Sequence, residues 1–255
     1  MEEIRPKGHR IKLITGHFGS GKTEFAINYA LFLRKYFPKV AAIDLDTINM
    51  YFRLREKIDF FEDHGITILG SSMKKAQTLD IPAIDPQILM PLENDDYQAV
   101  LDIGGNPKGS LSLGRYRDLL ADKGYDHYFV INRNRPETKD VADIVAFIKS
   151  TEAHSQTKVT GLINTTHMLK DTSVDDIYYG QEIVEEVGKL LNLPVVYTVA
   201  LSDVAKKLAE EGSIKNEIFP IKLYFRDNWM IWGGKKWQKV EWNSMKSDAK
   251  DAVFA

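Results

Sequence analysis

One stretch constrains this chain more than any other. Residues 11–23 read I-K-L-I-T-G-H-F-G-S-G-K-T. The stretch opens as a short apolar, β-branched run. A helical pattern follows it at once, in Glu24, Phe25, Ala26, Ile27, Tyr29, Ala30, Leu31 and Leu33. Between the two, Gly16, Gly21, Lys22 and Thr23 fill the fixed positions of the phosphate-loop pattern G-x-x-x-x-G-K-[ST]. The placement suits the chemistry. Backbone N–H groups at a strand-to-helix turn surround an anion, and the helix dipole favours negative charge there. Glycines let the backbone come close to phosphate oxygens. Lys22 is then placed to reach terminal phosphates, and Thr23 to hold Mg²⁺. On this reading Gly16, His17, Phe18, Gly19, Ser20, Gly21, Lys22, Thr23 and Glu24 form a nucleotide-binding segment.

The rest of the chain alternates short apolar runs with helical patterns. Strands are expected at 12–15, 40–46, 66–69, 97–103, 125–132, 159–164 and 195–200. Helices are expected at 22–36, 51–61, 111–123, 137–151, 173–191 and 202–211. Residues 74–94 carry Pro82, Pro86 and Pro91, which predicts short helices and turns instead of one long helix. Strands alternating with helices predict an α/β fold: a three-layer α/β/α sandwich with a mostly parallel central sheet. Ligands then lie at the carboxyl ends of the strands.

Composition removes several classes of function. With no cysteine in 255 residues, disulfides, thiolate zinc sites and cysteine-held clusters are excluded. A net charge of −2 offers no overall pull toward nucleic acid or anionic membrane, so nucleic acid is not an expected partner. No apolar run is long enough to span a bilayer. The first residues lack the apolar region of a secretory signal, so a cytoplasmic protein is expected.

Two further sites carry carboxylates at strand ends. The run A-V-L-D-I-G-G puts Asp102 after three apolar residues, where it can support a Mg²⁺ shell. Gly104 or Gly105 can offer a backbone N–H to a γ-phosphate. The second strand ends in Asp44 and Asp46, and alternation places both on one face with Leu45 opposite. Asp44 is assigned to the metal with Thr23 and Asp102. Asp46 is assigned with Lys22 to catalysis, orienting the attacking water.

The layout of Gly16–Thr23, Asp44-x-Asp46 and Asp102-x-Gly104 resembles the MinD/ParA/CobQ group of phosphate-loop NTPases, in the SIMIBI class. Finer details are similar to an uncharacterised bacterial ATP-binding branch. They are G-H-F-G-S-G-K-T-E, the run D-L-D-T-I-N-M-Y-F-R from Asp44, L-G-R-Y from Leu113 and F-P-I-K-L-Y from Phe219. The resemblance covers about residues 10–225. It implies ATP and Mg²⁺ as ligands, and contact of Asn164 with the adenine. It departs at one position. Much of the group carries a signature lysine where this chain has His17, so a dimer sandwiching ATP through that lysine is not expected.

No guanine-reading N-K-x-D stands at either candidate turn, Asn132-Arg133-Asn134-Arg135 or Asn164-Thr165-Thr166-His167. Arg53, Arg55, Arg115, Arg117, Arg133 and Arg135 all fall on the expected ligand side and suit anion contact. The domain is expected to end at residue 212. Residues 213–255 then form a strand and an aromatic-rich extension packing on the core, since all four tryptophans lie between 229 and 242. The leading function is an ATP-binding, Mg²⁺-dependent NTPase that acts as a switch or accessory protein, with a protein partner or a second copy. The alternatives are a small-molecule kinase or ATP-dependent ligase, and a non-hydrolysing adaptor.

Overall fold

Four apolar or β-branched residues, a buried Lys12 and a closing glycine make β1 (Ile11–Gly16) a strand with no exposed residue. The structure, a computed structural model, describes residues 4–46, 58–70 and 86–225. Seven more strands join β1: β2 (Val40–Leu45), β3 (Ile66–Gly70), β4 (Gln98–Ile103), β5 (Asp126–Ile131), β6 (Gly161–Asn164), β7 (Val195–Leu201) and β8 (Glu217–Ile221). They form one sheet in the order β3-β2-β4-β1-β5-β6-β7-β8, and every neighbouring pair is parallel. Parallel strands covered on both faces are mostly apolar, and β1, β2 and β4 read so apart from Lys12, Thr15, Asp44, Gln98 and Asp102.

The helices are α1 (Lys22–Arg34), α2 (Ile58–Asp63), α3 (Leu89–Glu93), α4 (Arg117–Lys123), α5 (Val141–Ser155), α6 (Val174–Leu191) and α7 (Ser202–Glu211). On one face of the sheet, α1 presents Phe25, Tyr29 and Phe32 to Tyr197 and Phe219. On the other face, Leu13, Ile43 and Leu101 pack with Leu113, Tyr116 and Leu120. There too, Phe129, Ile131 and Leu162 pack with Ile144, Ile148, Ile183, Val184 and Val187. Side chains alternate across each strand, so both faces are covered and the three-layer α/β/α architecture stands.

Local chemistry sets the helix ends. Ser173 caps α6 in a capping box with Asp176, as its sequence position predicts. Gly212, left-handed at φ 66, closes α7. The segment 107–116 differs from expectation. It is a 3₁₀ run with Pro107 at its start and Asn106 accepting from the Gly109 N–H, and the α-helix begins only at Arg117. Proline fixes the first turn there, and two glycines and two serines in ten lower α-helical propensity.

The compact unit runs to Leu223, and the strand expected beyond residue 212 is β8, the eighth strand of the sheet. Pro220 is tolerated because β8 is an edge strand. Residues 224–255 cluster as a second unit. The tryptophan-rich segment, Arg53, Arg55 and residues 74–85 lie outside the described residues.

Candidate functional site

The strand order gathers the site. With β4 between β2 and β1, the carboxyl ends of all three strands are neighbours. Asp44 and Asp102 are directly opposed residues of β2 and β4, and Asp102 faces Ile14 of β1 on its other side. The phosphate loop leaves β1 just beyond. Gly16 is needed there: at φ 152, a Cβ would stand 2.5 Å from the Val130 carbonyl oxygen of β5. Gly21, left-handed at φ 87, is the N-cap of α1.

Lys22 and Thr23 open that helix and meet the carboxylates. The Thr23 hydroxyl donates to Asp102 Oδ2 at 2.7 Å. Lys22 Nζ lies 4.0 Å from Asp46 Oδ2, and both side chains are buried. Asp44 Oδ1 accepts from the Asp46 N–H at 3.0 Å. Asp102 is fully buried, and its Oδ1 has no hydrogen-bond partner. Burial pushes its carboxyl up to about 7; Lys22 opposes that, Asp44 and Asp46 add to it, and the Thr23 hydrogen bond lowers it. A buried acceptor left open beside a hydroxyl is the donor set that suits a hard cation. Among the described residues, no group of three or more His, Asp or Glu side chains is arranged to hold a metal alone. Mg²⁺ commonly takes one or two protein oxygens and completes its shell with phosphates and water, so Thr23 and Asp102 fit it.

The loop between Gly16 and Lys22 is held from outside. Phe18 lies with its ring 5.6 Å from Lys22 Nζ, and a Cβ at Gly105 would fall 2.6 Å from Phe18 Cδ1. His17 turns toward α5, with its ring edge-on to Phe147 and Nδ1 3.6 Å from Glu137 Oε2. Glu24 sits in the first turn of α1, and its carbonyl accepts from Asn28 Nδ2 at 2.7 Å. Asn132 Nδ2 and Arg135 Nε both donate to the Gly19 carbonyl, at 3.3 and 3.0 Å. The Thr165 hydroxyl donates to the Ser20 carbonyl. These three contacts cross 113 to 145 residues of sequence, and no local pattern announces them.

Asn164 stands differently from its expected base contact. It is fully buried. Its Nδ2 donates to the Ile177 carbonyl and Gln181 Oε1, and its Oδ1 accepts from the Thr166 N–H. The amide is spent inside the fold, so reading a base would cost an internal hydrogen bond. Arg133 is likewise engaged: it stacks at 3.7 Å on Tyr179, bonds the Tyr179 carbonyl and pairs with Glu182. Arg117 pairs with Asp118 and Gln156 at the surface. Arg115 is exposed.

The chain has an α/β fold, one all-parallel sheet with helices on both faces, that it shares with solved structures of other proteins. It is similar in structure to the cell division protein FtsY of Thermotoga maritima, with a TM-score of 0.53 at 18% identity over 77% of this chain and 63% of that one. Chloroplast FtsY of Physcomitrella patens gives 0.51 at 18% identity, over 76% and 59%. The chain thus spans less than two thirds of either protein. No protein-family model matches the chain, and no curated protein matches its sequence.

Proposed function

We propose that this protein is a Mg²⁺-dependent ATPase that serves as a nucleotide-driven switch or accessory protein. The observation that carries the reading is the 2.7 Å bond from Thr23 to Asp102, with Lys22 buried beside it. It joins the phosphate loop to the strand-end carboxylate, which is the junction where a Mg²⁺–triphosphate centre is assembled. Thr23 and Asp102 would hold the ion, with Asp44 behind them. Bound there, Mg²⁺ would neutralise charge on the phosphates. The backbone of residues 16–21, the N-terminus of α1 and Lys22 bind the phosphates. Asp46, 4.0 Å from Lys22, orients the attacking water, with Lys22 turned to phosphate.

ATP is favoured over GTP because neither the 132–135 nor the 164–167 turn carries an aspartate to read guanine. The MinD/ParA-like branch rests on the motif residues themselves, and His17 means that any second copy is not contacted through a lysine at that position. The kinase or ligase reading is less favoured, since Arg133 is spent on Tyr179 and Glu182 and Arg135 on Gly19. Calorimetry with Mg·ATP and Mg·GTP, on wild type and Lys22→Ala, tests binding. Undiminished affinity in the variant would refute it. Asp46→Asn should still bind ATP but lose phosphate release, and wild-type release would remove Asp46 from its role.

A further inference from the structure

The turns after β5 and β6 are where a base-reading role is sought, yet their side chains reach the phosphate loop. We infer that Thr165, with Asn132 and Arg135, is a positioning residue that braces the phosphate loop in its anion-binding shape. The inference rests on the nucleotide reading above.

The geometry runs through peptide planes. All peptide bonds among the described residues are trans, so each carbonyl points opposite to the following N–H. The Ser20 carbonyl is turned to the Thr165 hydroxyl, which aims the Gly21 N–H the other way, away from the Thr165 hydroxyl. That hydroxyl also faces the Ile131 carbonyl at 3.1 Å, but it has one proton and the Ser20 contact is the shorter. One residue earlier, the Gly19 carbonyl is held by Asn132 and Arg135, and the Ser20 N–H closes a tight turn on the His17 carbonyl at 3.1 Å. Two successive carbonyls of the loop are therefore fixed from outside, by two different turns.

The bracing turn is itself rigid. Thr165 is buried, and its backbone N–H donates to the Ile131 carbonyl at 2.9 Å. Asn164 fixes the Thr166 N–H from within, and Gln181 holds Asn164. The Thr166 hydroxyl accepts from the Arg133 N–H at 3.1 Å, tying the two turns to each other. On this account the buried Asn164 shapes the turn that carries Thr165. A loop held in its bound shape avoids the cost of ordering when an anion arrives, and removing the brace returns that cost.

The test separates phosphate grip from base contact. Inorganic tripolyphosphate with Mg²⁺ carries the phosphates and no base. Thr165→Val removes the hydroxyl with little change of shape, and Thr165→Ser restores it. Calorimetry should show the valine variant weakened about tenfold for both Mg·ATP and Mg·tripolyphosphate, by the same factor, with the serine variant back near wild type. Circular dichroism checks that each variant is folded, and Thr165→Ala repeats the test should the valine variant not fold. Wild-type tripolyphosphate affinity in the folded hydroxyl-less variant overturns the brace. A loss confined to ATP also overturns it, in favour of a base-side contact. Wild-type protein that binds neither ligand overturns the nucleotide reading and the brace with it.

Discussion

His127 makes the folded protein sensitive to acid by an amount that can be worked out. Its ring is fully buried in β5 between two hydroxyls, with Thr15 Oγ1 2.8 Å from Nε2 and Thr157 Oγ1 3.0 Å from Nδ1. A hydroxyl can donate to one ring nitrogen and accept from the other, so the neutral ring is fully satisfied. Burial lowers its pKa from 6.5 to about 3. Above pH 6.5 the ring is neutral in both folded and unfolded chains and contributes no pH dependence. Below it, the unfolded chain takes up a proton that the folded protein refuses until about pH 3, so stability falls as pH falls through that window. At pH 5 the cost is about 2 kcal/mol, from about 1.5 pH units at about 1.4 kcal/mol each. Below pH 3 it approaches about 5 kcal/mol, comparable with the whole stability of a typical domain. Asp102 acts in the opposite sense, since its raised pKa lets the folded protein hold a proton that the unfolded chain releases between pH 7 and 3.8. The measurement is therefore a difference: urea unfolding of wild type and His127→Gln at pH 7 and pH 5. Wild type should lose about 2 kcal/mol more than the variant over that interval. A gap that stays constant to within about 0.5 kcal/mol would show that the ring is not held neutral, and the reasoning fails.

Three further outcomes follow from the site and its supports. Gly16→Ala sets a Cβ 2.5 Å from the Val130 carbonyl at a left-handed φ, and should cost about 1–3 kcal/mol in thermal or urea unfolding together with measurable nucleotide binding. Gly180→Ala, in α6, sets a Cβ 2.0 Å from Thr166 Oγ1 and 2.6 Å from Asn164 Oδ1. It should destabilise the fold by about 1–3 kcal/mol and weaken Mg·tripolyphosphate binding by displacing the turn that carries Thr165. Because Asp102 holds its proton below about pH 7, Mg·ATP binding should release about one proton at pH 6 and almost none at pH 8.5. Calorimetry in buffers of different ionisation enthalpy reads this directly, and Asp102→Asn should abolish the difference.

Much of the fold was legible because its signals are local. A run of β-branched residues, a helix period, a proline or a capping serine acts within a few residues, so the strands, most helices and the Ser173 cap follow from the chain directly. The same holds for the phosphate loop, whose function resides in its own backbone. The 3₁₀ run at 107–116 was less legible, since a stretch with two glycines and an N-terminal proline is poised between helix types and its packing against α5 decides. A strand beyond residue 212 was legible from its alternation, but that β8 pairs with β7 and ends the sheet is set by the tertiary structure alone.

For the site, the sequence alone determined which groups are present: a phosphate loop, three carboxylates at strand ends and no cysteine. Tertiary structure decided what they do to one another. Only the order β2-β4-β1 sets Asp102 on Thr23 and opposite Asp44, and so raises its pKa by burial. Only the packing of β5 and β6 beside β1 turns Asn132, Arg135 and Thr165 onto the loop, while Asn164, an apparent base reader, disappears into the interior. A hydrogen bond depends on distance and direction between atoms. Across more than a hundred residues of chain, those are set by the sheet and not by spacing along the sequence.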